Sequence, residues 1–149
     1  GVDVKIDFME NRPIVDVENE IIDEFSVFED WMDKYEYIIE LGKSVPVIDQ
    51  EQKTEENLIK GCQSRVWLSS EFRDGRIWFA ADSDAIITKG IISLLVRVFN
   101  GRTPQEILSS DFSFVEKIGL KDNLSPTRAN GLVSMIKQIK NYAVAYSAK

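Results

Sequence analysis

Apolar residues recur at three- and four-residue steps from Val17 onward: Ile21, Ile22, Phe25, Phe28 and Trp31, then Tyr35, Ile38, Ile39 and Leu41. That period predicts helix, and a break between Ser26 and Asp30 divides it into two consecutive helices. Gly42 takes the C′ position of the second, with Pro46 beyond it as a stop. Val47 to Lys53 is mostly polar, follows a proline and reads as loop.

The period then shortens to two. Leu58-Ile59 is a short apolar piece, Gly61 to Ser64 a turn, and Arg65 to Phe72 alternates as a strand. Asp74-Gly75 signals a two-residue hairpin, because a type I′ turn needs positive φ at both central positions. Under that turn, Val66, Leu68 and Phe72 share a face with Ile77 and Phe79, while Trp67 and Trp78 lie together on the other. Two tryptophans there imply that the second face is covered as well.

The rest is helical. Ser83 or Asp84 is expected to cap a segment from Ala85 to Phe99 that is apolar nearly all round and belongs in the middle of the core. Its Lys89 and Arg97 are expected to reach solvent along one edge. Gly101 ends it, Thr103-Pro104 opens a short helix, and Ser110 to Ile118 reads as another, closed by Gly119. Ser125-Pro126 starts the last helix, striped by Ala129, Leu132, Val133, Ile136, Ile139, Ala143 and Tyr146. The order predicts an α+β fold, a three-stranded antiparallel meander covered by helices in one domain over 17–149. Residues 1–16 are expected to be an extension, with Met9 as an alternative start and a short strand suggested by Val2, Val4, Ile6 and Phe8.

Composition narrows the function classes. With 149 residues, 44% of them hydrophobic, the chain can bury a substantial core. A formal net charge of −7, with no basic run longer than two residues, argues against nucleic-acid binding. No apolar stretch approaches the roughly 20 residues that span a bilayer. No secretory leader is read, one unpaired cysteine fits a reducing compartment, and cytoplasm is the expectation.

Cys62 is the single cysteine, and histidine is absent. An internal disulfide, a thiolate metal cage and a Cys–His nucleophile pair are therefore all excluded within the chain. Cys62 is then either a small apolar packing residue or a thiol that works alone. Its place on a turn, after Gly61 and between Lys60 and Arg65, favours the working thiol, since nearby cations favour thiolate. Asp82-Ser83-Asp84 reads first as helix cap; a functional role would have one aspartate hydrogen-bond the Cys62 loop. Arg128, one turn into the last helix, can bring charge to the thiol. No metal site is expected, since the acidic pair has no accompanying ligand cluster.

Several separated blocks make the chain resemble the SufE family of sulfur acceptors, which includes CsdE. They are Gly61-Cys62-Gln63-Ser64-Arg65-Val66-Trp67, Asp82-Ser83-Asp84-Ala85, Lys89-Gly90, Gly101-Arg102-Thr103-Pro104, Leu124-Ser125-Pro126-Thr127-Arg128 and Asn130-Gly131-Leu132. The resemblance runs from about Phe28 to Ala143. It implies a fold shared with IscU-type scaffolds and a persulfide carrier at Cys62, which accepts sulfur from a SufS-like desulfurase. It implies no cofactor of the protein's own, the desulfurase using pyridoxal phosphate. The same resemblance implies that accepting the sulfur stimulates that enzyme. An iron–sulfur scaffold, SufB/SufBCD- or IscU-like, is the implied acceptor, and a monomer or weak dimer the expected state. Gly61, Gln63, Ser64, Arg65, Asp84 and Arg128 are the expected supporting residues. Many family members have histidine where this chain has Asn123, so no role can be carried over to that position. Read from the residues, the main alternative is a thiol redox sensor at Cys62. For the carrier, Cys62 is expected to rest against the apolar hairpin and swing out on binding, with Gly61, Gln63 and Ser64 as hinge.

Overall fold

The structure, a computed structural model, describes residues 12–148. The alternation from Val2 to Phe8 lies outside them. Helices α1 (Ile14–Ser26) and α2 (Trp31–Gly42) appear with the expected break. The break is enforced at Asp30, whose extended backbone leaves its side chain free to accept the Asp33 N–H. The first helix begins three residues ahead of Val17, and Val17, Ile21 and Phe25 point its apolar face inward.

Strands β1 (Val66–Arg73) and β2 (Arg76–Ser83) form the hairpin, with Asp74 and Gly75 both at positive φ. Pairing runs from Arg73 with Arg76 to Val66 with Ser83, so Leu68 faces Ala81 and Phe72 faces Ile77. Among the described residues the sheet has two strands, not three. The expected third strand reduces to a single antiparallel bridge between Leu58 and Trp67, flanked by Ile59 N–H donating to Val66 and Leu68 N–H donating to Asn57. It cannot lengthen, because a turn from Thr54 precedes it and Gly61, at φ +90°, bends the chain away after it.

Residues 46–48, expected as a helix stop at Pro46 and the start of the loop from Val47, take the far edge of β2 instead. Ala81 N–H donates to Pro46 and Ile48 N–H to Ala81. The segment between these two edge contacts crosses the outer face of the hairpin, with Lys53 over the Trp67 ring at 5.2 Å. Trp67 and Trp78 share that face but stand at opposite ends, since Trp67 pairs with Asp82 and Trp78 with Glu71. The crossing segment covers Trp67, and Trp78 lines an open groove.

The inner face meets α3 (Ile86–Phe99), buried along almost its whole length. Crossing α2 over α3 requires Gly42 and Gly90: a Cβ on Gly90 would stand 2.1 Å from the Ile38 carbonyl oxygen. Arg97 does not reach solvent. It is 8% exposed and holds α1 to α3, with Nη1 2.9 Å from Glu24 and Nη2 2.5 Å from both Glu20 and Glu24. Lys89 also turns inward to an ion pair with Asp82 at 3.5 Å.

After Gly101 come α4 (Pro104–Ser109), with a Thr103–Glu106 capping box, then α5 (Phe114–Lys117) and α6 (Leu120–Asn123). The single helix expected from Ser110 starts later, because Phe112 sits at φ +57°, and Gly119 at φ +88° separates α5 from α6. Helix α7 (Pro126–Ser147) opens as expected, with the Ser125 hydroxyl accepting the Arg128 N–H. Its Tyr146 stacks on Phe72, and its Tyr142 donates to the Leu68 carbonyl, closing the core.

Candidate functional site

Cys62 sits where the bridging strand piece ends and β1 begins, on a loop whose two feet are held separately. At the first foot, Gly61 takes a backbone conformation that side chains rarely adopt, and a Cβ there would lie 2.5 Å from the Ser134 hydroxyl of α7. Gly61 therefore supplies close contact as well as freedom. At the second foot, the Asp84 carboxylate accepts the Arg65 N–H at 3.0 Å, the Ser83 hydroxyl donates to the Arg65 carbonyl at 2.8 Å, and the Asp84 N–H does so at 3.2 Å.

These bonds correct the capping expectation. The cap residue of α3 is Ala85, and neither Ser83 nor Asp84 satisfies the first turn through its side chain. Ser83 and Asp84 are occupied by the Cys62 loop. Asp82 lies between Lys53 at 2.7 Å and Lys89 at 3.5 Å. Burial works against its charge, but Lys53, the Ser83 N–H and Lys89 outweigh it and hold the carboxyl below the ordinary range.

Between the feet, the Cys62 side chain turns toward the two long core helices rather than the hairpin. Its thiol lies 3.7 Å from the Gly131 carbonyl, and a Cβ on Gly131 would come within 3.4 Å of the sulfur. Gln63, Ser64 and Arg128 border the same small cavity, with Thr88 and Ile91 of α3 and Met135 of α7. So Cys62, Gln63, Ser64 and Arg128 come together, while Arg65 and Asp84 stand at the base of the loop and Gly61 at its opposite foot.

Two of the cations expected to activate the thiol are engaged elsewhere. Lys60 pairs with Glu55 at 3.2 Å, and Arg128 lies over the Tyr35 ring and bonds its hydroxyl at 3.3 Å. Half-buried Cys62 has its pKa pushed up by burial. Asn123 lies outside the cavity and caps locally, its amide donating to the Gly119 carbonyl at 2.8 Å. Thr88, Gly131 and Ser134 are the site residues that sequence reasoning misses. The available signals were a threonine within an apolar helix and a glycine within a helical stripe.

Among the described residues, no group of three or more histidine, cysteine or acidic side chains comes together to hold a metal. None of their helices is long and apolar enough to cross a membrane. The arrangement offers one sheltered sulfur on a short tethered loop.

Comparison with known proteins bears on what that sulfur belongs to. Residues 19–143 match the SufE family, described as an Fe-S metabolism associated domain. An uncharacterized SufE-like protein of Rhizobium etli is 41% identical, the alignment covering 87% of this chain and 91% of the relative. A second, from Rhizobium meliloti, is 40% identical over 84% of this chain and 93% of its own. In fold, the chain resembles the solution structure of a hypothetical protein from Thermus thermophilus, with a TM-score of 0.73 at 16% identity, covering 89% and 97% of the two chains. With the family match running through the Cys62 loop, both of its feet and the helices that wall its cavity, the chain belongs to the SufE family.

Proposed function

We propose that the protein is a sulfur carrier, taking sulfane sulfur from the persulfide of a SufS-like, pyridoxal-phosphate-dependent cysteine desulfurase onto Cys62. The carried sulfur then passes to an iron–sulfur scaffold of the SufB/SufBCD or IscU type. Removing the persulfide frees the desulfurase cysteine for another turnover, so the protein acts as an activator rather than as an enzyme with its own substrate. The observation that carries this reading is a lone thiol, sheltered on a loop tethered at both ends, within a SufE-family chain.

The step is an exchange. The Cys62 thiolate attacks the outer sulfur of the donor persulfide, a new S–S bond forms on Cys62, and the donor cysteine leaves as thiolate. The proton lost from Cys62 goes to solvent or to that leaving sulfur. The step needs access and a thiolate, which the resting loop withholds, so docking must bring Cys62 out of its cavity. The same shelter weighs against a redox sensor, which works through an accessible thiol of low pKa.

Intact-mass spectrometry tests this after incubation with a cysteine desulfurase, pyridoxal phosphate and cysteine. The expected result is a gain of one sulfur atom, lost on reduction and absent from Cys62→Ser, with faster desulfurase turnover only for the unmodified chain. An active desulfurase that leaves the mass unchanged and is not stimulated would overturn the reading.

A further inference from the structure

Helix α1 is acidic on both flanks. One flank is an open cleft lined by Asp16, Glu20, Asp23 and Glu24 with Arg12. On the other, between α1 and the turn that joins α4 to α5, lies a cleft of about 480 Å³ bordered by Glu18, Glu106 and Asp111. Its volume falls within the roughly 300–1,000 Å³ of small-molecule sites. It is remote from Cys62 along α3: the thiol's cavity meets that helix at Thr88 and Ile91, whereas α1 is tied to it at Arg97.

Glu18 sets this cleft apart. It is 9% exposed, and its Oε2 is buried with no hydrogen-bond partner among the described residues. The other two carboxylates are engaged, Glu106 accepting the Thr103 N–H at 2.9 Å and Asp111 the Ser113 N–H at 3.0 Å. Burial, then the Asp111 charge, push the Glu18 carboxyl above the ordinary range, with Lys117 and Arg102 opposing. Neither of those cations bonds Oε2.

A carboxylate left in this way lacks both a donor and a compensating charge, and a charged N–H group supplies the two together. Among the described residues no three acidic side chains converge to hold a metal, so the fitting cation is organic. Ile14, Ile22 and Phe114 give the cleft apolar walls. A compact ammonium serves a single unsatisfied oxygen, whereas the flat fork of a guanidinium is matched to two.

We propose that this cleft binds a small primary alkylammonium ion, which donates to the Glu18 carboxylate, faces Asp111 with its charge and lays its aliphatic stem against Ile14, Ile22 and Phe114. The negative charge on both flanks of α1 draws such a cation in. The site stands apart from Cys62 and does not depend on sulfur transfer.

The experiment titrates the isotope-labelled full chain with n-butylammonium chloride at constant ionic strength and follows backbone amides by NMR. Saturable shifts are expected at Glu18, Asn19 and residues 109–117, with a Kd on the order of 1 mM for so small a ligand. Butan-1-ol, which has the stem without the charge, should leave those amides in place. Glu18→Gln, close in shape, should weaken binding roughly tenfold or more, the worth of a hydrogen bond to a charged group. Asp111→Asn, on an exposed loop, should weaken it about two- to fivefold, and it carries the test should Glu18→Gln fail to fold. Shifts confined to the Asp16 and Asp23 side of α1, equal binding of butan-1-ol, or affinity unchanged in both variants would each overturn the site.

Discussion

Cys62 is protected by where it sits. Its pKa is raised by burial, and Lys60 and Arg128 are turned to Glu55 and Tyr35. At neutral pH the thiolate fraction is therefore below that of free cysteine. Alkylation by iodoacetamide near pH 7 should run on the order of tenfold slower than for free cysteine, with a midpoint above the ordinary thiol value. Unfolding in urea should bring both back to normal. A folded-state profile matching free cysteine would show that the resting loop does not shelter the sulfur. Cys62 itself is legible in the sequence, since a chain with one thiol and no imidazole leaves few chemistries open. Thr88 is not, because its place beside the cavity is set only when α3 packs against the loop and α7.

At the scale of elements, helix period and turn chemistry gave away most of the architecture. The α1–α2 break, the Asp74-Gly75 hairpin, the Thr103 cap and the Ser125-Pro126 start all follow from local rules. What local rules miss is contact at a crossing. Gly90 reads as an ordinary helical glycine, yet its bare Cα is what allows α2 to lie on α3. Gly90→Ala should cost about 3 kcal/mol in urea unfolding, although alanine gains about 1 kcal/mol in helix propensity. An unchanged midpoint would mean that the two helices can separate freely at that point. The third strand failed for a related reason: Leu58-Ile59 has strand character, but its length is decided by the turns on either side.

Across the whole molecule, α1 is attached to the central helix by charge as well as by apolar packing. A lone arginine on an apolar helix reads as a snorkelling side chain, since its acidic partners lie more than seventy residues away in sequence. Arg97→Met should lower stability by about 3 kcal/mol, near the low end for a broken buried pair because Glu20 and Glu24 keep about a third of their side-chain exposure. Glu20 is held below the ordinary carboxylate range by its hydrogen bond to Arg12, which with Arg97 outweighs the opposing effect of burial. Its contribution is full above that range and is lost as pH falls through the lowered folded value. Melting curves at neutral and acid pH should therefore converge for Arg97→Met and the unmodified chain. A gap that stays constant down to strongly acid pH would assign the loss to packing alone.

The crossing segment has a further consequence. Near Cys62 it occupies both borders of the hairpin, with residues 57–59 along β1 and 46–48 along β2. Backbone donors and acceptors that would otherwise be available to a neighbouring chain are already used there. A protein that approaches the sulfur cannot dock at this end by strand addition, a generic mode of association that tolerates many sequences. It has to recognise side chains, and selectivity among partners is then set by surface complementarity around the loop.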